Sequence, residues 1–230
     1  PLVFIVVLNW NAFGDTHECL LSLKEVTYPN FQVVVVDNGS NDDSPQQIVA
    51  SHPDVTLVKC EVNKGIAAGY NRGIQFALQA GADHIVLMNN DLVFAPEFLS
   101  AMVRTVQIWP QSGIIMPKIY YYDDPDIIWS TGGRTRWMSS NILLRDRQKK
   151  DNPAILTEEV IEFAPSCCLL LTRDVCQEVS FDESYFFYYD DWDFCLEARK
   201  KGWHIIFSPA AHIWHKVSRS TQNSPKSLRW

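Results

Sequence analysis

Short apolar runs recur along the first half of the chain, and each stops at a polar cluster. Leu2 to Leu8 ends at Asn9-Trp10-Asn11, Phe31 to Val36 at Asp37-Asn38-Gly39-Ser40, Val55 to Cys60 shortly before Asn63-Lys64-Gly65, and Ile85 to Met88 at Asn89-Asn90-Asp91. Runs of this length suit strands buried on both faces, as in a parallel sheet. Between them the apolar spacing becomes helical. Asp15 and, three residues on, Glu18 form a capping-box-like start before Leu20, Leu23 and Val26. Residues 43 to 51 form a second helical stretch, and Ile74, Ala77, Leu78 and Gly81 mark a third, with Tyr70 and Asn71 in its first turns. The alternation predicts an α/β fold with a Rossmann-like, mostly parallel central sheet and right-handed crossovers, its polar strand ends on one edge.

That edge is where an open α/β sheet binds ligands. Asn89-Asn90-Asp91 alone also suits a turn, because Asn and Asp bond their own backbone. Several polar strand ends converging on one edge favour a site, in which Asp91 can hold a hard divalent cation that also takes phosphate oxygens. No G-x-G-x-x-G follows the first run, which disfavours a nicotinamide dinucleotide.

Beyond Leu92 to Phe94, a helix starts at Ala95-Pro96-Glu97, runs through Leu99, Met102, Val103 and Val106, and stops before Pro110. Residues 113 to 171 hold short apolar runs and Gly132-Gly133, read as a small antiparallel extension, and the polar stretch Arg145 to Asn152 is expected to be a mobile loop. An aromatic run, Tyr185 to Tyr189, then leads into Asp190-Asp191-Trp192-Asp193. Trp192, Cys195, Leu196 and Arg199 recur at helical spacing until Gly202. One aspartate would suffice to cap this helix, whereas like charges this close repel and raise each other's pKa. A carboxylate beside an aromatic wall suits a general base. Asp193 and Glu197 also repel at i, i+4, a strain that Lys200 and Lys201 are expected to ease. A last strand, Trp203 to Phe207, precedes His212-Ile213-Trp214-His215. His215, set before Lys216 where the apolar segment ends, is the better ligand candidate of the two histidines.

With 230 residues the chain can bury a sizeable core. Its 20 basic and 27 acidic residues give a net charge of −7 without a basic tract, so nucleic acid is excluded as the expected partner. Cysteines 19, 60, 167, 168, 176 and 195 lack C-x-x-C pairs and read as small apolar residues in a reducing compartment, with disulfides of a secreted protein as the alternative for an even count. No apolar run reaches the roughly 20 residues of a membrane span. The opening at Pro1, at the edge of an apolar run and with no signal-peptide pattern, suggests a domain cut from a longer protein.

VVLNWN, VVVVDNGSNDDS, NKGIAAGYNRG, LMNNDLVF, FDESYFFYYDDWDFCLEARKKGW and the His215 segment occur in one order over nearly the whole chain. In that order they resemble family-2 glycosyltransferases of the GT-A fold, in the branch of bacterial rhamnosyltransferase-like enzymes. The resemblance implies a single domain over 1–230, with residues 1–94 binding the nucleotide sugar and 95–230 the acceptor and catalytic residues. It implies that Asp37 contacts the base of a nucleoside diphosphate sugar in a pocket with Asn9 and Gly39. Asn63, Gly65 and Asn71 are then expected near ribose, diphosphate or sugar. Asn89-Asn90-Asp91 stands in place of the family's D-x-D-type motif, so Asp91, with His215, is expected to bind Mg2+ or Mn2+. Asp191, flanked by Asp190 and Trp192 on the substrate side, is the implied catalytic base of an inverting displacement. The implied donor is a dTDP- or UDP-sugar, dTDP-rhamnose among them. The implied acceptor is a glycan or lipid-linked hydroxyl at the cytoplasmic face of a membrane, with peripheral membrane association compatible.

The chain departs from the family at Asn89, which removes an acidic residue, at Asp190 in place of Glu, at Glu197 where Arg is expected, and at Val179-Ser180 in place of a glycine-rich lead-in. Arg199 is the candidate replacement for the missing Arg. Trp129, Trp137 and Tyr120 to Tyr122 are candidates to stack on an acceptor glycan or to pack in the core. Two rival readings remain open: a domain that binds sugar nucleotides or glycans without turnover, and a pyrophosphorylase-like nucleotidyltransferase. The second lacks its glycine-rich basic loop here.

Overall fold

The structure is a computed structural model describing residues 1–136, 141–152 and 157–217. The opening apolar runs form β1 (Val3–Asn9), β2 (Phe31–Asp37), β3 (Thr56–Lys59) and β4 (His84–Asn89), joined by helices α1 (Phe13–Leu23), α2 (Ser44–Ser51) and α3 (Ile66–Gln79). These strands are parallel in the order β3-β2-β1-β4. Register aligns their polar ends, because Asn9 lies opposite Asp37 while Leu8 lies opposite Asn89. Val3 to Val7 and Ile85 to Met88 are buried at the centre of the core. The unbroken apolar runs are thus explained by helices and sheet covering both faces.

After β5 (Leu92–Phe94) and α4 (Phe98–Ile108) come β6 (Ser112–Tyr121), β7 (Ile128–Ser130), β8 (Gly133–Arg136), β9 (Asn141–Leu144), β10 (Glu159–Ile161), β11 (Cys168–Thr172), α5 (Arg173–Glu178), α6 (Asp190–Lys200) and β12 (His204–His215). The same sheet continues β4-β11-β6-β12-β10, while β8 and β9 form a separate hairpin. The antiparallel part is therefore built into the main sheet. β11 runs antiparallel between β4 and β6, with Cys168 opposite Met88. This reversal brings Ser166 and Cys167, just before β11, to the edge where β4 ends.

The two segments expected at residues 203–207 and 212–215 are one strand, whose register shifts between Ser208 and His212 as it runs along β6. Its end pairs with β5, placing His215 opposite Leu92 and hence beside Asp91.

Two expectations need correction. The stretch Arg145 to Asn152 is fastened: Asp151 accepts hydrogen bonds from the buried Lys118 Nζ at 3.0 Å and from Tyr120 Oη at 2.7 Å, and Arg145 pairs with Glu159. A buried ammonium without a counter-charge is costly, so the loop is held by what it neutralises. The capping box is not formed either. α1 begins at Phe13 without a side-chain cap, and Asp15 and Glu18 instead receive Lys216 Nζ at 3.2 and 2.5 Å. All six cysteines are unpaired. Among the described residues no helix is long and apolar enough to cross a membrane.

Candidate active site

Asp91 and His215 meet at the end of β4, one from each half of the chain. Both are buried, and His215 Nε2 lies 3.3 Å from Asp91 Oδ1. Asp91 Oδ1 has no aligned hydrogen-bond partner, and neither does His215 Nδ1, the ring nitrogen that faces away from Asp91. Burial disfavours charge on each, yet their mutual attraction wins: His215, also beside Cys167, is raised to about 10, and Asp91 is held below the usual carboxylate range. A carboxylate with a spare lone pair and an imidazole whose Nε2 proton a cation would displace fit a divalent cation that takes its remaining ligands from phosphate and water. Among the described residues no cluster of three or more His, Cys, Asp or Glu supplies a complete protein cage.

The second constellation sits at the start of α6, entered through Tyr188 and Tyr189 in left-handed conformations (φ 67° and 65°). Asp190 is buried and accepts from Ser166 Oγ at 3.3 Å; Asp191 is half-buried and accepts from the Trp192 N–H at 2.8 Å. Burial raises the pKa of both, and the neighbouring Asp190 charge helps bring Asp191 to about 7. A hydrogen-bonded chain ties this carboxylate pair to the end of β4. Tyr70 Oη lies 2.9 Å from Asn89 Oδ1 and 3.0 Å from the Ser166 carbonyl oxygen, and Ser166 Oγ reaches Asp190. Lys200 pairs with Glu197 as expected, but Lys201 donates to the Glu178 carbonyl instead, and Arg199 is exposed.

Several expected ligand contacts turn inward. Asn9 is fully buried: its Nδ2 donates to Asp37 Oδ1 at 2.9 Å and Ser44 Oγ at 3.1 Å, and its Oδ1 accepts from Thr16 at 2.7 Å. Asn90 completes this frame by donating to Thr16 Oγ1 at 2.9 Å. These amides hold the strand ends together. Asp37 is buried, with Oδ1 also taken by Ser40 Oγ and Oδ2 facing the Ser40 N–H at 3.2 Å. Asn71 bonds the Phe181 backbone in both directions and Glu183 Oε1, and it also lines a cavity with Asn38, Lys64 and Arg72. Trp192 packs half-buried against the core. Asn63 Oδ1 receives the Gly65 N–H and Asn38 Nδ2, which shapes the loop before α3.

Gly39 and Gly65 are glycines for backbone reasons. Gly39 has φ +73°, and an added Cβ would lie 2.5 Å from the Val62 carbonyl carbon. Gly65 has φ +98°, and its Cβ would lie 2.5 Å from the Phe186 carbonyl oxygen, which accepts from the Ile66 N–H at 3.1 Å. The start of α3 and the aromatic loop ahead of Asp190 are thus in direct backbone contact. Gly65→Ala is expected to cost about 1–3 kcal/mol, measured by chemical denaturation, through strain and displacement of that loop. A stability equal to the parent's would contradict this contact.

Ser166, Tyr70 and Asn38 join the site without having been singled out for it. A serine between Pro165 and Cys167 carries no pattern, and a tyrosine on a helical face reads as core. Of the candidate acceptor aromatics, Trp129 packs edge-on against His215 (ring centroids 4.9 Å, 82°) and Tyr120 is bound to Asp151, while Trp137 lies outside the described residues. His212 bonds the Pro209 carbonyl oxygen at 2.9 Å, away from this site.

The family model described as glycosyl transferase family 2 matches residues 4–179. The chain belongs to glycosyltransferase family 2. This glycosyltransferase is 28% identical, over 97% of its length and 78% of the relative's, to an N-acetylglucosaminyl-diphospho-decaprenol L-rhamnosyltransferase of Mycobacterium tuberculosis. It is 24% identical to a low-salt glycan biosynthesis hexosyltransferase of Haloferax volcanii, covering 87% of this chain and 62% of that one. Among solved structures, GalNAc-T7 with UDP, GalNAc and Mn2+ superposes with a TM-score of 0.75 at 13% identity, over 93% of this chain and 43% of that one. Staphylococcus aureus TarS (residues 1–349) gives 0.66 at 17% identity, over 95% and 61%. The glycosyltransferase therefore has the GT-A fold and spans less than two thirds of these structures' chains.

Proposed function

We propose that the protein transfers a sugar, with inversion, from a nucleoside diphosphate sugar to a hydroxyl of a glycan or lipid-linked acceptor. The carrying observation is that Asp191, with its pKa near 7, is tied through Asp190, Ser166 and Tyr70 to the strand end that bears Asp91. A carboxylate poised near neutral pH can take the acceptor proton as its oxygen attacks the anomeric carbon. Asp91 and His215 hold a divalent cation, Mg2+ or Mn2+, which when bound neutralises charge on the leaving diphosphate. Asp37, Gly39, Asn63 and Gly65 then form the nucleotide side, and residues 95–230 present the acceptor to Asp191. The mycobacterial relative's name supports an L-rhamnosyl donor and a lipid-diphosphate acceptor, hence work at the cytoplasmic face of a membrane.

A thermal-shift panel of UDP, dTDP, GDP and CDP, each with Mn2+ and with chelator, tests the donor assignment. One nucleotide at about 100 times its Kd is expected to stabilise by about 2.7 kcal/mol, a rise of about 5–10 °C, only with metal. Silence across the panel would overturn the reading.

A further inference from the structure

A chain of contacting side chains beside the candidate metal pair carries three buried polar atoms without hydrogen-bond partners: Asp91 Oδ1, His215 Nδ1 and Trp129 Nε1. Asp91 touches His215, and His215 meets Trp129 edge-on. Folded proteins rarely leave such atoms unsatisfied, so a bound group or water is expected to meet them. Asp91 Oδ1 is a lone-pair atom suited to a cation, and the imidazole nitrogen that faces it is His215 Nε2. The third is different in kind, because an indole N–H can only donate. Its partner must be an acceptor, and the acceptor expected beside a divalent cation is a phosphate oxygen.

We propose that Trp129 is a donor-binding residue whose indole N–H hydrogen bonds an oxygen of the diphosphate held at Asp91 and His215. This rests on the diphosphate reading above. Trp129 is placed for it by β7, which pairs with β6, and by packing against the core. A neutral donor fixed in this way strengthens its bond as negative charge grows on the leaving group.

The test uses Trp129→Phe, which keeps a ring edge against His215 and removes only the N–H. Calorimetric titration with the nucleoside diphosphate that stabilises the parent best, in Mg2+, is expected to show about tenfold or greater weakening, with affinity for the parent nucleoside unchanged. A role confined to packing on His215 would leave both affinities unchanged, and that result overturns the proposal. On the unaltered protein with 15N-labelled indoles, one of the eight tryptophan N–H signals is expected to move downfield when that diphosphate and Mg2+ are added. Absence of any such movement overturns the proposal even if the variant fails to fold. If no nucleoside diphosphate binds the parent, the donor reading itself fails and this inference falls with it, an outcome distinct from unaltered binding by the variant.

Discussion

Asp191→Asn is expected to lower transfer by about 10²–10⁴-fold while leaving nucleoside diphosphate binding nearly unchanged. The amide preserves size and the contact to the Trp192 N–H but cannot accept the acceptor's proton. The parent's rate should rise with pH through about 7, where Asp191 loses its proton, and the variant's profile should lose that limb. Stability should move in the opposite sense. The folded-state pKa is raised from the ordinary carboxylate value of about 4, so this group's contribution is fully present below that value and is lost as pH rises through about 7. Asp191→Asn should therefore melt above the parent at pH 8, and the difference should close in acid. Rate assays and thermal unfolding across pH 5–9 measure both. Unchanged transfer would remove Asp191 as base, and an unchanged pH profile would remove its perturbed ionisation from the mechanism.

Asp91→Ala carries the second large effect. Loss of one of the two proposed protein ligands is expected to weaken metal-dependent nucleotide binding by about 100-fold or more and to make affinity the same with Mg2+, Mn2+ or chelator. The variant also strips His215 of its counter-charge, so the imidazole pKa should fall from about 10, visible as a shifted histidine titration by NMR. If the parent binds nucleotide equally well with and without chelator, the cation assignment fails. A retained metal dependence in Asp91→Ala would move the cation to other residues.

Asp91 and Asp191, the residues these variants test, lie about a hundred residues apart in sequence, and only the fold joins them. Tyr70, Ser166 and Asp190 form the join. Tyr70 is a core residue by its spacing, and its hydroxyl counts only because antiparallel β11 delivers the Ser166 carbonyl to it. Lys216 illustrates the same gap. It lies next to His215 in sequence, yet its partners Asp15 and Glu18 come from α1, about two hundred residues earlier, and take it in place of a capping box.

By itself the sequence determined the strands and helices of the first half and the common edge of their polar ends, and it suggested Asp91 and His215, with Asp191 added by the family resemblance, as the residues to test. Period and run length report burial, and burial of a parallel sheet on both faces leaves an uninterrupted apolar signature that stops where the strand leaves the core. Tertiary structure alone decided where β11 and β12 insert, and therefore which half-chains share the site. Short antiparallel strands are chosen by pairing with distant partners rather than by their own pattern. It also decided direction: Asn9, Asn71 and Asn90 stand at the expected places but spend their amides on the protein, because a buried amide must find partners and the nearest were Asp37, Thr16 and the Phe181 backbone.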